Sequence, residues 1–122
     1  MIVFSNHRLG PAAELLVSPQ VAEGMLRATA EAASSTADGH WERELVRWLQ
    51  VRAAANVGLD VGEVAWSPEH FERQRRFLID AIELAARTSE HTRALRRWAG
   101  MIEAHPRDSV QVGRRWTWLA TA

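Results

Sequence analysis

A self-similarity of about 49 residues runs through most of this chain of 122 residues. Shifting the sequence by 49 positions, and by 50 in the later part of the alignment, places twelve residues over identical ones. The matches include two pairs of tryptophans, Trp48 with Trp98 and Trp66 with Trp116. A repeat of this length is typical of one supersecondary unit used twice. It predicts an internal duplication of residues 18–66 and 67–116, with chance matches among the many alanines and arginines as the alternative.

Two serine–proline pairs predict where two helices begin. Ser18 and Ser67 each supply a hydroxyl for the N-cap, and the proline that follows takes the first helical position, where its missing N–H costs nothing. Apolar residues at spacings of three and four then predict four helices. Their expected ranges are about 18–34, 38–55 and 68–87, with a fourth from Thr88 or Ser89 to before Pro106.

Short apolar runs predict a small sheet. Residues 2–4 and 14–17 flank Gly10, which with the proline after it signals a turn, so they fit a strand pair. Residues 57–61 alternate in polarity, as a short strand or a docked loop would. Residues 109–119 alternate in the same way and need a partner strand. We expect one helix-dominated α+β domain over residues 1–122: two helical hairpins with short antiparallel strands from the N-terminus and the C-terminal segment.

The composition excludes several kinds of chemistry. Fifteen acidic residues balance fifteen basic ones, so the whole chain has no net charge to attract nucleic acid or anionic membrane. Every basic residue is an arginine, which excludes a lysine Schiff base. The absence of cysteine excludes disulfides, a thiolate nucleophile and cysteine-based metal sites. The apolar run at residues 1–4 is too short for a signal peptide, and no run is long enough to span a membrane, so we expect a cytoplasmic protein.

The charge is unevenly divided along the chain. Residues 1–71 hold five arginines and nine acidic residues, whereas residues 72–122 hold ten arginines and six acidic residues. This asymmetry fits a basic surface that faces a partner, or attraction between the two halves. Part of the arginine is expected in helical ion pairs four residues apart. The predicted pairs are Glu69–Arg73, Glu72–Arg76 and Glu83–Arg87.

Few residues suggest a catalytic or metal site. No serine lies in a G-x-S-x-G turn, and the loop from Gly58 to Gly62 lacks the lysine of a phosphate-binding loop. His40 with Glu44, and His70 beside another element, could each contribute metal ligands, but neither has a recognised spacing, so we expect no metal and no cofactor. Asp80 lies among apolar residues, which predicts a half-buried carboxylate paired with an arginine rather than a catalytic acid.

Arginine and tryptophan mark the candidate binding residues, because both are enriched where protein interfaces are strongest. The candidates are Arg47, Trp48, Arg96, Arg97, Arg114, Arg115, Trp116 and Trp118. They favour a non-enzymatic domain that binds a protein partner or forms a homo-oligomer such as a dimer. One alternative is nucleic-acid binding by the arginine-rich C-terminal half. Another is a small ligand-binding protein or enzyme with a tryptophan-lined pocket, and a third interpretation places these tryptophans in the core.

Overall fold

A computed structural model describes residues 1–10 and 13–106, and these form the expected helix-dominated α+β fold. The strands are β1 (Ile2–Ser5), β2 (Glu14–Val17) and β3 (Leu59–Asp60). The helices are α1 (Pro19–Ser34), α2 (His40–Ala55), α3 (Phe71–Thr88) and α4 (Thr92–Glu103). The C-terminal strand predicted over residues 109–119 lies outside the described residues, so the duplication stays a prediction.

The four helices form two hairpins. α1 packs against α2, α3 packs against α4, and a third extensive contact joins α1 to α3. Ser18 caps α1 as predicted, because its Oγ accepts a hydrogen bond from the backbone N–H of Val21 at 3.3 Å. Among the helices of the described residues, every one is too short or too polar to cross a membrane.

Helix α3 begins later than predicted, at Phe71. Residues 67–70 form a turn in which the N–H of His70 donates to the carbonyl of Ser67 at 3.1 Å. The N–H of Ser67 in turn donates to Oε1 of the buried Gln74 at 2.8 Å. The prediction that Ser67 caps the helix was therefore wrong, because a side chain from inside the helix fixes the preceding turn.

The sheet has β1 in its centre. β2 pairs with β1 antiparallel, with Ile2 opposite Val17, as a hairpin requires. β3 pairs with β1 in parallel, with Phe4 opposite Leu59, and this corrects the expectation of a purely antiparallel sheet. Parallel strands need a long connecting segment, and the chain between β1 and β3 provides one, because it contains β2 and the α1–α2 hairpin.

Aromatic side chains fill the core between the sheet and the helices. Trp48 and Trp98, each on the second helix of a hairpin, are 0% exposed. The ring of Trp98 meets Phe4 of β1 edge to face, with centroids 5.1 Å apart. Trp66 packs against Phe71 at the start of α3, with centroids 5.3 Å apart. The Phe4–Trp98 contact thus attaches the sheet to the α3–α4 hairpin through large apolar side chains.

Polar side chains join the ends of β1 and β3 around Asp60. Its carboxylate accepts hydrogen bonds from Ser5 Oγ at 3.0 Å, from the N–H of His7 at 2.9 Å and from the N–H of Gly62 at 2.8 Å. Glu63 accepts from the N–H of Asp60 at 2.8 Å and is ion-paired with Arg52 of α2. One carboxylate therefore connects the two strands and the turns that follow them.

We expect Asp60→Ala to lower the free energy of unfolding by about 2 kcal/mol, because three donors lose a charged acceptor in a part-buried site. Asp60→Asn keeps the shape and one acceptor oxygen, so we expect a smaller loss. Urea denaturation followed by circular dichroism measures both variants. Equal stability of Asp60→Ala and the parent protein would contradict this role.

Candidate functional site

An open groove of about 870 Å³ runs between α1 and the turn from α3 to α4. Small residues of α1 form one wall, a leucine of α3 stands opposite, and two glutamates stand at the rim. We name this surface the α1–α3 groove. Its defining residues are Gly24, Ala28, Ala32, Leu84, Glu31 and Glu90.

The spacing of small residues on α1 creates the groove. Gly24, Ala28 and Ala32 follow one another at intervals of four, so they lie on one face of the helix. Their small side chains leave space above that face, while Leu84 from α3 remains 37% exposed beside it. Apolar groups open to solvent in a concave site are typical of a docking surface rather than of a packed core.

A histidine closes one end of the groove. His91, just before α4, is mostly buried and lies over Gly24. A Cβ atom built at Gly24 would be 2.5 Å from His91 Nε2, so a side chain there and the imidazole cannot both occupy this position. Glycine inside α1 therefore makes room for the imidazole.

The rim of the groove is acidic. Glu31 forms no ion pair within the described part of the chain, and Glu90 has only His91 nearby, with Oε1 3.7 Å from Nε2. A smaller depression of about 410 Å³ continues past Ala32 and Leu84 towards Asp80 and the exposed Arg87. The deeper part of the groove is thus bordered by carboxylates that have no arginine partner.

A second charged surface lies on α4. The exposed positions of this helix are Arg93, Arg96, Arg97, Gly100 and Glu103. We name Arg93, Arg96, Arg97 and Gly100 the α4 arginine face. Arg93 and Arg97 form no ion pair with any described residue, and Arg96 is held only loosely, with Nε 3.9 Å from Glu83 Oε2.

The ion pairs of α3 differ from those predicted. Glu72 pairs with Arg75 rather than with Arg76, which contacts Asp80 at 3.9 Å and Glu103 at 3.6 Å. Asp80 does pair with an arginine, but its side chain is 67% exposed, so the prediction of half-burial was wrong. Its apolar sequence neighbours face the core on either side, and Asp80 itself points to solvent.

The predicted binding residues fall into three groups. Arg47, Arg96 and Arg97 are exposed on α2 and α4. Trp48 is fully buried and its indole lies below the Arg52 guanidinium, 5.3 Å from the ring centroid, so this tryptophan belongs to the core and not to a surface. The remaining four candidates lie outside the described residues. They are Arg114, Arg115, Trp116 and Trp118.

Neither His40 nor His70, the two histidines considered as metal ligands in the sequence, belongs to a metal site among the described residues. His40 Nε2 is 3.6 Å from Glu44 Oε1, as their spacing predicts, but in residues 1–10 and 13–106 no three histidine, aspartate or glutamate side chains converge on one point. His70 precedes α3 and makes no side-chain capping bond to it. The one buried histidine, among the residues described, is His105 after α4.

His105 has a structural hydrogen bond to the N-terminal layer. Asn6 donates from Nδ2 to the carbonyl of Met101 at 2.9 Å, which leaves its Oδ1 to accept from His105 Nδ1 at 3.2 Å. The imidazole also packs between Trp66 and Phe71. This arrangement attaches the end of α4 to the end of β1.

Sequence reasoning missed the groove and named other residues. The one sequence signal for the groove was the spacing of the small residues Gly24, Ala28 and Ala32. Tightly packed helix pairs show the same spacing, so this signal alone does not distinguish a groove from a packed contact. None of the described tryptophans, which are Trp41, Trp48, Trp66 and Trp98, lines the α1–α3 groove, so within the described residues it is not the tryptophan-lined pocket considered above. Comparisons with protein-family models, with curated proteins and with solved structures found no match to this chain.

Proposed function

We propose that this protein is a non-enzymatic protein–protein interaction domain whose docking site is the α1–α3 groove. The supporting observation is an open concave surface that places the exposed Leu84 and the part-exposed Ala28 beside the carboxylates of Glu31 and Glu90, which have no arginine partner among the described residues. The partner segment is expected to place an apolar side chain against Ala28 and Leu84. Basic side chains on either side of it would reach Glu31 and Glu90.

The shape of the groove favours a peptide segment over a small molecule. It opens to solvent between helix α1 on one side and the end of helix α3 with the following turn on the other, and helix-in-groove complexes receive an amphipathic helix in a comparable way. The apolar floor supplies affinity by removing area from water, and the two carboxylates supply orientation and exclude acidic partners. A catalytic role has no comparable support in the groove, whose titratable residues are Glu31, Glu90 and His91.

Leu84→Asp is expected to weaken partner binding at least about tenfold, because the partner's apolar side chain would then be buried against a charged group instead of the apolar wall. Leu16→Asp is the matched control, since Leu16 on β2 is also an exposed leucine, at 54%, and lies outside the groove. Peptide-display selection on the parent protein, followed by calorimetry of the enriched peptides, measures the effect. Circular dichroism checks that both variants are folded.

Enriched peptides should share an apolar residue with arginine or lysine three or four positions away, and should lose affinity for Leu84→Asp alone. Light scattering measures the oligomeric state of the parent and of both variants. A dimer that dissociates in Leu84→Asp but not in Leu16→Asp would identify a second copy of this chain as the partner in the α1–α3 groove. Peptides that bind both variants equally, or a monomer that enriches no peptide, would overturn the proposal.

A further inference from the structure

The described residues compensate the positive charge of the α4 arginine face only in part, through the 3.9 Å approach of Arg96 Nε to Glu83 Oε2. Arg93 and Arg97 stand one helical turn apart on the same side, and like charges at this spacing destabilise a helix. The helix has no acidic residue before Glu103, which is engaged with Arg76 of α3. Among the described residues, Arg93 and Arg97 therefore contribute no ion pair that stabilises the fold.

Gly100 is a second feature of the same face that folding does not explain. It lies inside α4, where glycine costs about 1 kcal/mol relative to alanine. A Cβ atom built at Gly100 would meet no described residue within 4 Å, so nothing in residues 1–10 and 13–106 requires the missing side chain. Positions where a sequence departs from local rules without a structural gain are expected at functional surfaces. A glycine among arginines lets a ligand approach the helix backbone closely.

The chemistry of this face fits phosphate better than protein. No large apolar side chain is exposed on α4, whereas protein interfaces bury apolar cores. Guanidinium groups bind phosphate oxygens through paired N–H donors, and they need no apolar support to do so. Helix α2 provides a contrast, because its exposed Arg43 and Arg47 alternate with Glu42 and Glu44.

We infer that the α4 arginine face binds the phosphate backbone of nucleic acid. Arg93, Arg96 and Arg97 contact successive phosphates, and Gly100 allows the strand to lie close to the helix. Affinity comes from the release of counterions, with little dependence on base sequence, because the face offers guanidinium groups and no apolar wedge. The chain as a whole is neutral, but this does not oppose the binding, because the glutamates of the α1–α3 groove lie on α1 and in the turn before α4 and not on the α4 arginine face.

Fluorescence anisotropy with a short labelled DNA duplex and a labelled single-stranded RNA tests the inference with the full chain. We expect binding at low salt, and three phosphate contacts predict about a 40-fold loss of duplex affinity between about 50 and 200 mM salt. The double variant Arg93→Glu/Arg97→Glu should lose at least about tenfold in affinity at low salt. Comparing the two probes shows whether duplex or single strand is preferred.

Arg43→Glu/Arg47→Glu is the matched control, because it makes the same charge change at the same spacing on another exposed helix face. Its affinity for both nucleic acids should stay within about threefold of the parent value. Absence of binding at low salt, or equal losses in the two double variants, would overturn the inference. Equally tight binding of polyglutamate would overturn it too, by showing that the face takes an acidic protein partner. None of these outcomes depends on the α1–α3 groove.

Discussion

Trp98→Ala is expected to lower the free energy of unfolding by about 4 kcal/mol, the largest effect of any substitution considered for this protein. Trp98 is fully buried, and it packs edge to face on Phe4 of β1. Its removal therefore opens a cavity at the point where α4 meets the sheet. Urea denaturation followed by circular dichroism gives the free energy directly.

Two further variants separate volume from hydrogen bonding at this position. Within the described residues, the indole Nε1 of Trp98 is buried without a hydrogen-bond acceptor, so Trp98→Phe breaks no hydrogen bond and should cost less than half of the alanine effect. Arg97→Ala, at the exposed neighbouring position, should change stability by about 0.5 kcal/mol or less. A Trp98→Ala protein with the stability of Arg97→Ala would contradict the placement of Trp98 in the core.

Gly58→Ala is expected to lower the free energy of unfolding by about 3 kcal/mol. Gly58 stands just before β3, and a Cβ atom built there would be 2.2 Å from the carbonyl oxygen of Val3 in β1. Backbone cannot move aside as a flexible side chain can, so β3 must separate from β1. That movement also disrupts the hydrogen bonds that Asp60 receives from Ser5 and His7.

Gly100→Ala is the control, because its expected change in the free energy of unfolding has the opposite sign. The same substitution inside α4 adds a methyl group that meets no described residue within 4 Å, and it should stabilise the protein by up to about 1 kcal/mol because alanine is the better helix former. Thermal or urea unfolding of the two glycine variants side by side compares them under one condition. A Gly58→Ala protein at least as stable as the parent would show that the close approach of Gly58 to Val3 does not constrain the sheet.

Local patterns were sufficient to predict most elements of this fold. Helix α1 has the predicted end at Ser34 and the predicted cap at Ser18, because both depend on residues a few positions apart. The start of α3 could not be found in this way, since Gln74 reaches back to fix the turn before the helix. The alternation of residues 57–61 indicated the position of β3, but its parallel pairing with β1 could not be predicted, because alternation in polarity does not give the direction of a strand.

The candidate sites were less predictable than the fold. Arg97 was named from the sequence and is exposed on the α4 arginine face, whereas Trp48 was named and is buried. Composition identifies tryptophan as a strong contact residue without saying whether the contact is internal. The α1–α3 groove depends on Leu84 remaining exposed beside Ala28, which is a consequence of how two helices pack and has no sequence signature of its own.

The hydrogen bonds of Asn6 have a consequence for the order in which the protein folds during synthesis. Its fully buried amide is bonded to Met101 and His105, which are 95 and 99 positions later in the chain. The β1–β2 hairpin and the α1–α2 pair use short connections and can form early, but Asn6 buried at that stage would have no partners for its amide. The polar contacts of the N-terminal layer are therefore completed only after α4 has been made, so the first and last described elements close the fold together.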